Sequence, residues 1–186
     1  MTAVVLAGGR SSRMGKDKTL LPVEGVSLLE RTISLVKPFT QDTVVVTNTP
    51  QAHVFPGIRL MVDEQPFEGP LAAFAVALHT IAPSETVLLL ACDMPNLSSP
   101  LIRALLEKSV TAGEKAVVAK TSRGWEPLCA CYPGMVRIQV ERVLAEGGRS
   151  MQELLNRIEK VEVVWKDEEL ESVNTPEDYG RQITGV

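Results

Sequence analysis

Eleven consecutive residues behind a short apolar run, Gly8-Gly9-Arg10-Ser11-Ser12-Arg13-Met14-Gly15-Lys16-Asp17-Lys18, combine glycines with four cations. Glycines let a backbone bend sharply and approach a ligand, and successive amides form a concave receptor for anions. A triphosphate needs that combination, since each charged hydrogen bond to it contributes about 1.5–3 kcal/mol. Two familiar phosphate loops fail on spacing. G-x-G-x-x-G is absent because Gly8 and Gly9 are adjacent and the next glycine is Gly15. The P-loop pattern fails because five residues separate Gly9 from Gly15 and Asp17 follows Lys16. The plain alternative is a basic surface turn; the position straight after the first apolar run favours phosphate binding.

The elements that must hold this loop alternate from end to end. Val4–Ala7, Thr43–Thr47, Ile58–Val62, Thr86–Ala91 and Lys115–Ala119 are short and aliphatic, as buried strands are. Ser27–Val36, Pro70–Ile81 and Pro100–Val110 carry helical spacing between them. Ser99 before Pro100 predicts a helix cap, and Ser150 with Glu153, and Thr175 with Asp178, have capping-box spacing. Glu126–Tyr132 follows Lys115–Thr121 after only a Ser122–Trp125 turn, which predicts one antiparallel strand. Helices over Pro133–Ala145 and Ser150–Ile158 and a strand over Val161–Trp165 complete the chain. The pattern is α/β, a mostly parallel sheet covered on both faces. Ligands of such sheets lie at the carboxyl ends of the strands. That rule selects Gly8–Lys18, Asn48, Asp63–Gly69, Cys92–Pro95 and the segment after Trp165.

Composition narrows the partners. At about 150 residues per domain, 186 residues make one domain. Hydrophobic residues at 45% and charged residues at 23% exclude a largely disordered chain. A net charge of −4 offers no broad basic face for nucleic acid or anionic lipid. The apolar start ends at Gly8, short of a membrane span, and the first arginine, Arg10, comes too late for a secretory signal. Cys92, Cys129 and Cys131 are odd in number without C-x-x-C spacing, so reduced thiols packed in a cytoplasmic protein are expected. His53 and His79 have no zinc partner at useful spacing.

The loop, written Leu6-Ala7-Gly8-Gly9-x-Ser-Ser12-Arg13-Met14-Gly15-x-Asp17-Lys18, resembles the opening signature of the nucleotidyltransferases, specifically the molybdenum cofactor guanylyltransferases. The resemblance continues in order through Asp63, Gly69-Pro70-Leu71, Cys92-Asp93-Met94-Pro95, Glu126-Pro127-Leu128 and Asn174-Thr175-Pro176-Glu177-Asp178. It implies a single-domain, three-layer Rossmann-like α/β sandwich with one antiparallel strand. It also implies a nucleotide-binding part over about 1–95 and an acceptor-binding part over about 96–186. The implied reaction transfers GMP from GTP to the terminal phosphate of molybdenum-carrying molybdopterin and releases pyrophosphate. Mg2+ is the implied cofactor; molybdoenzymes or cofactor-biosynthesis proteins are implied partners. Carried over by position, Leu6, Ala7 and Gly8 hold guanine and ribose, Arg13 and Lys18 meet the phosphates, Asn48 and Asp63 contact the nucleoside, and Asp93 binds magnesium. The Gly8-Gly9 pair is similar to guanylyl rather than cytidylyl transferases. The chain departs from the family at Ala73, often glycine, and at Ser172, often asparagine.

Displacement at an α-phosphorus by a phosphate oxygen joins two anions, so the site needs cations and alignment more than a nucleophilic side chain. Magnesium takes one or two carboxylates and keeps several waters. Asp93 suits it, with Asn174 or Asp63 completing the sphere; a turn before Pro95 is the structural alternative for Asp93, and a plain turn for Asn174. Arg13 and Lys18 are candidates for stabilising charge in the transition state. Arg149, after Gly147-Gly148, reads as an acceptor-phosphate ligand or as an exposed helix-start arginine, and Trp125 as a pterin stacker or as packing. Competing functions are cytidylyl, corrinoid-phosphate or sugar-phosphate transfer, and a nucleotide-binding module without turnover.

Overall fold

A strand buried along its whole length must lie at the centre of a sheet covered on both faces, and β1 (Thr2–Ala7, TAVVLA) is such a strand. The computed structural model describes residues 1–8, 18–49, 55–63 and 68–184, with backbone alone at 18 and 181–184. After β1 come a small hairpin, β2 (Pro22–Val23) and β3 (Val26–Ser27), then α1 (Leu28–Val36), β4 (Asp42–Thr47), β5 (Arg59–Val62), α2 (Pro70–Leu78), β6 (Thr86–Ala91) and α3 (Ser99–Ala112). The second half holds β7 (Ala116–Thr121), β8 (Gly124–Pro133), α4 (Arg137–Ala145), α5 (Met151–Leu155), β9 (Lys160–Val164) and α6 (Pro176–Thr184).

Seven strands form one sheet in the order β5-β4-β1-β6-β8-β7-β9. Only β8 runs against its neighbours, pairing antiparallel with both β6 and β7. Alternation along β1 sorts the core into layers. Val4 and Leu6 pack with Phe74, Leu78, Val140 and Leu154 of α2, α4 and α5. Val5 and Ala7 pack with Leu29 and Ile33 of α1, and Ala3 with Leu101 and Leu105 of α3. The expected three-layer α/β sandwich with one antiparallel strand is therefore present. No helix of the described residues is long and apolar enough to cross a membrane.

Several boundaries differ from the sequence reading, each for a local reason. Ser98 caps α3, its Oγ accepting the Leu101 N–H at 3.4 Å, so Ser99 is already helical. The expected helix at 133–145 is divided, because Pro133 ends β8 and a 3-10 turn over Gly134–Val136 precedes α4. The β7–β8 turn is tighter than Ser122–Trp125: Thr121 pairs with Gly124, and Trp125 lies in the strand opposite Lys120. The β2–β3 hairpin has no hydrophobic alternation to announce it; Glu24 at φ 53° and Gly25 at φ 83° make its turn. The three cysteines are free and buried as expected, and burial pushes the Cys131 thiol up to about 12.

Gly134 shows how closely the sheet end is packed. Its N–H donates to the Glu85 carbonyl at 2.6 Å, and a Cβ there would stand 2.4 Å from the Ala82 carbonyl oxygen. Gly134→Ala is expected to destabilise the fold by about 1–3 kcal/mol. Thermal unfolding would show it as a fall in Tm of about 2–4 °C per kcal/mol.

Candidate active site

Backbone pairing aligns the strand ends that the sequence singled out. Ala7 pairs with Thr47, Thr47 with Val62, and Leu6 with Ala91. The ladder runs slightly further, Asp63 N–H donating to the Thr47 carbonyl at 3.0 Å and Cys92 N–H to the Leu6 carbonyl at 3.2 Å. Continuing the register, Gly8, Asn48, Asp63 and Asp93 form one row on the carboxyl edge, in spatial order Asp63, Asn48, Gly8, Asp93. Leu6 and Ala7 are buried just beneath it and Gly8 is exposed on it. Gly9 and Arg13 lie outside the described residues, as does the Lys18 side chain; Lys18 itself opens a 3-10 turn, Lys18–Leu20, ahead of β2.

Asp93 is partly buried at the end of β6, and its carbonyl accepts the Val173 N–H at 2.8 Å. That bond brings Asn174 beside Asp93. Asp63 stands three strands away, about 14 Å at ~4.8 Å per strand, beyond the reach of two short carboxylates on one ion. The sphere envisaged as Asp93 with Asp63 therefore does not form from this backbone, whereas Asp93 with Asn174 remains adjacent. Among the described residues no group of three or more His, Cys, Asp or Glu could enclose a metal. One carboxylate with a neighbouring amide fits magnesium, whose other positions go to water and phosphate oxygens, and does not fit a closed zinc site.

Arg149 and Asn174 fall on opposite faces of the sheet. Arg149 lines a cavity of about 800 Å3 on the α2 face with Asp63, Glu68 and His79. Its Nε is 3.4 Å from Glu68 Oε2, and its Nη1 donates to the Leu144 and Gly148 carbonyls at 3.3 and 2.9 Å. Asn174 lies on the α3 face, held by a capping box at α6. There Asp178 Oδ2 accepts the Asn174 and Thr175 N–H groups at 3.0 and 2.9 Å, and Thr175 Oγ1 accepts from Asp178 N–H at 3.1 Å.

A second, polar cleft of about 380 Å3 opens on this side, lined by Arg123, Glu126, Ser172, Val173, Asn174 and Asp178 among others. Glu126-Pro127-Leu128 builds one wall. Along β7 one step separates Val118 from Ala119, while their β8 partners are Ala130 and Glu126, so residues 127–129 bulge from the ladder. Proline is tolerated at such a bulge, which also re-aims neighbouring side chains. Buried Tyr132 fastens it, its hydroxyl donating to the Pro127 carbonyl at 2.9 Å. Burial holds the Glu126 carboxyl above its ordinary range, partly offset by Arg123 and by a Thr121 hydroxyl at 3.5 Å. Trp125 packs in this arrangement. Lys120 and Lys160 place Nζ 5.1 and 5.5 Å from its ring centre, and its indole packs on the α2-side core.

A model of the MobA-like NTP transferase domain matches residues 3–162. The chain belongs to this family. It is 38% identical over 185 residues to a probable molybdenum cofactor guanylyltransferase of Nostoc sp., spanning 96% of this chain and 88% of the relative. It is 35% identical over 179 residues to a molybdenum cofactor guanylyltransferase of Pseudomonas putida, spanning 94% and 93%. In fold it is similar to the crystal structure of molybdopterin-guanine dinucleotide biosynthesis protein A from Archaeoglobus fulgidus. The TM-score there is 0.79 at 24% identity, covering 99% of this chain and 97% of that one.

In this MobA-like chain the sequence gives Glu126-Pro127-Leu128 no role, and shows Glu68 and Arg123 only as members of the Asp63–Gly69 segment and the β7–β8 turn. The available signal was a proline inside an apparent strand, the mark of a bulge. Ala73 is accommodated, its methyl packing on the α2-side core, and Ser172 reaches the polar cleft.

Gly69, at the start of α2, ties these parts together. It has φ 94°, and a Cβ would stand 2.7 Å from the Arg149 carbonyl oxygen. Gly69→Ala is expected to lower Tm by straining the backbone at φ 94° and pushing against the Arg149 carbonyl, read by thermal unfolding. An unchanged Tm would show that the loop relaxes without strain.

Proposed function

We propose that this protein is a Mg2+-dependent molybdenum cofactor guanylyltransferase, transferring GMP from GTP to the phosphate of molybdenum-carrying molybdopterin and releasing pyrophosphate. The observation that carries the reading is the row Asp63, Asn48, Gly8, Asp93 on four neighbouring strands, with a cavity at the Asp63 end and a polar cleft beside Asp93. The names of relatives at 35–38% identity over nearly the whole chain support the chemistry and the base. The nucleotide side is about residues 1–95 and the acceptor side about 96–186, meeting at Asp93, with Arg149 crossing to the Asp63 end. The three buried thiols and the acidic charge suit a cytoplasmic enzyme.

In the reaction an acceptor phosphate oxygen forms a bond to the α-phosphorus of GTP as the bond to the β-phosphate oxygen breaks. Leu6, Ala7, Gly8 and Gly9 hold the guanosine along the backbone edge, and Asn48 and Asp63 fix the nucleoside from the β4 and β5 ends. Arg13 and Lys18 are the cations assigned to the phosphates, where they would stabilise the charge that grows on the leaving pyrophosphate. Asp93 and Asn174 would hold the divalent ion. When bound, Mg2+ neutralises the facing phosphates so that the two anions can meet. Asn174 orients the acceptor on its side of Asp93, and Arg149, bound to Glu68, supplies positive charge at the other end of the row.

The purified chain should incorporate GMP, and not CMP, AMP or UMP, when given each nucleoside triphosphate with Mg2+ and molybdopterin. CMP incorporation alone would reject the base, and no pyrophosphate release with any of them would reject catalysis. Lys18→Ala is expected to lower kcat at least tenfold and Asp93→Asn about a hundredfold, each with Tm unchanged. Chelation of the divalent ion should abolish turnover reversibly.

A further inference from the structure

On the far side of Asp93 from the nucleotide row, the β8 bulge turns a carboxylate into a cleft that the transfer chemistry does not require. A phosphate monoester would be repelled by it, so the carboxylate must serve another part of the ligand. We infer that Glu126 selects the acceptor, accepting paired N–H bonds from the 2-amino-4-oxopyrimidine edge of its heterocycle inside the cleft; the inference rests on the guanylyl-transfer reading above.

Three observations support it. The cleft is of small-molecule size, about 380 Å3, and lies between β8 and the 170–174 segment. Its wall is the strand next to β6, and Val173 N–H bonds the Asp93 carbonyl, so a ligand seated there can extend its phosphate toward Asp93. Its charges complement the proposed edge. Such an edge offers an N–H and an amino group side by side with a carbonyl oxygen beyond them. Two carboxylate oxygens match the donors bidentately. Arg123, three residues before Glu126, faces the carbonyl oxygen. Its Nη2 is anchored by the Asp167 and Leu170 carbonyls at 3.3 Å each, and its Nη1 is 3.6 Å from Glu171. The carboxyl that burial has partly desolvated recovers, from such donors, the hydrogen bonds it lost with water.

Guanine carries the same edge as a pterin. The side of Asp93 on which the cleft lies, away from β4 and β5, assigns it to the acceptor's pterin, and the test separates the two. The full chain is titrated with 2-amino-4-oxopteridine by its fluorescence, and with 2,4-dioxopteridine, which lacks the amino group. Wild type is expected to favour the amino compound at least tenfold. Glu126→Gln should lose that preference and raise the acceptor KM at least tenfold with the GTP KM within twofold, and Glu126→Asp should restore part of both. Thermal melts check that the variants are folded, and the two-ligand comparison on wild type needs no variant. Equal affinity for the two pteridines, no measurable pteridine binding by wild type, or a preference kept in Glu126→Gln would overturn the inference. A parallel rise in the GTP KM would reassign the cleft to guanine and overturn it as well. Failure of wild type to transfer GMP sinks the reaction instead, a result read in a separate assay.

Discussion

Everything at the candidate site depends on the hydrogen-bond ladder between β1 and its two parallel neighbours. Parallel strands in fixed register end at the same height, so residues far apart in sequence arrive in one line. Asp63 and Asp93 are thirty positions apart, yet the ladder places them at two ends of a single row with Asn48 and Gly8 between. No side-chain contact is needed to hold that row. The completely buried β1 makes it rigid, because slipping the register by one residue would turn Val4 and Leu6 away from α2.

The single antiparallel strand gives the edge a second kind of opening. A further parallel strand beside β6 would end where β6 ends and offer another loop of the same kind. β8 runs the other way, so its early residues, not its late ones, lie at the carboxyl edge. The bulge at Pro127 falls there and turns Glu126 toward the 170–174 segment. That segment and the 3-10 turn leading into it (Asp167–Leu170) are tied down from several sides. Ser122 N–H donates to Asp167 at 2.9 Å, Asn96 to the Glu168 carbonyl at 3.2 Å, and Val173 N–H to Asp93. The two sides of Asp93 thus differ in kind: the backbone edge at Gly8 on one, a charged cleft on the other.

Much of this was readable in the chain. Strands announced themselves because a strand buried on both faces must be aliphatic, and α5 and α6 because Ser150-x-x-Glu153 and Thr175-x-x-Asp178 bond within one turn. The position of Asp93 at the strand end was legible because a carboxylate two residues past an aliphatic strand stands out. Trp125 follows its packing alternative: its cross-strand partner Lys120 and the more distant Lys160 of β9 reach its ring. Asp63 was misjudged as a partner for Asp93 because strand order, not sequence distance, sets their separation.

By itself the sequence determined the type of the longer elements, the capping boxes of α5 and α6 and the residue types available at each strand end, because these follow from local hydrogen bonding and from the hydrophobicity of single segments. Only the tertiary structure decided which strand ends are neighbours, that Arg149 and Asn174 lie on opposite faces, and that Glu126 shares a cleft with Asn174. Those relations depend on strand order and on a bulge, both settled by packing between segments up to a hundred residues or more apart, which no local pattern encodes.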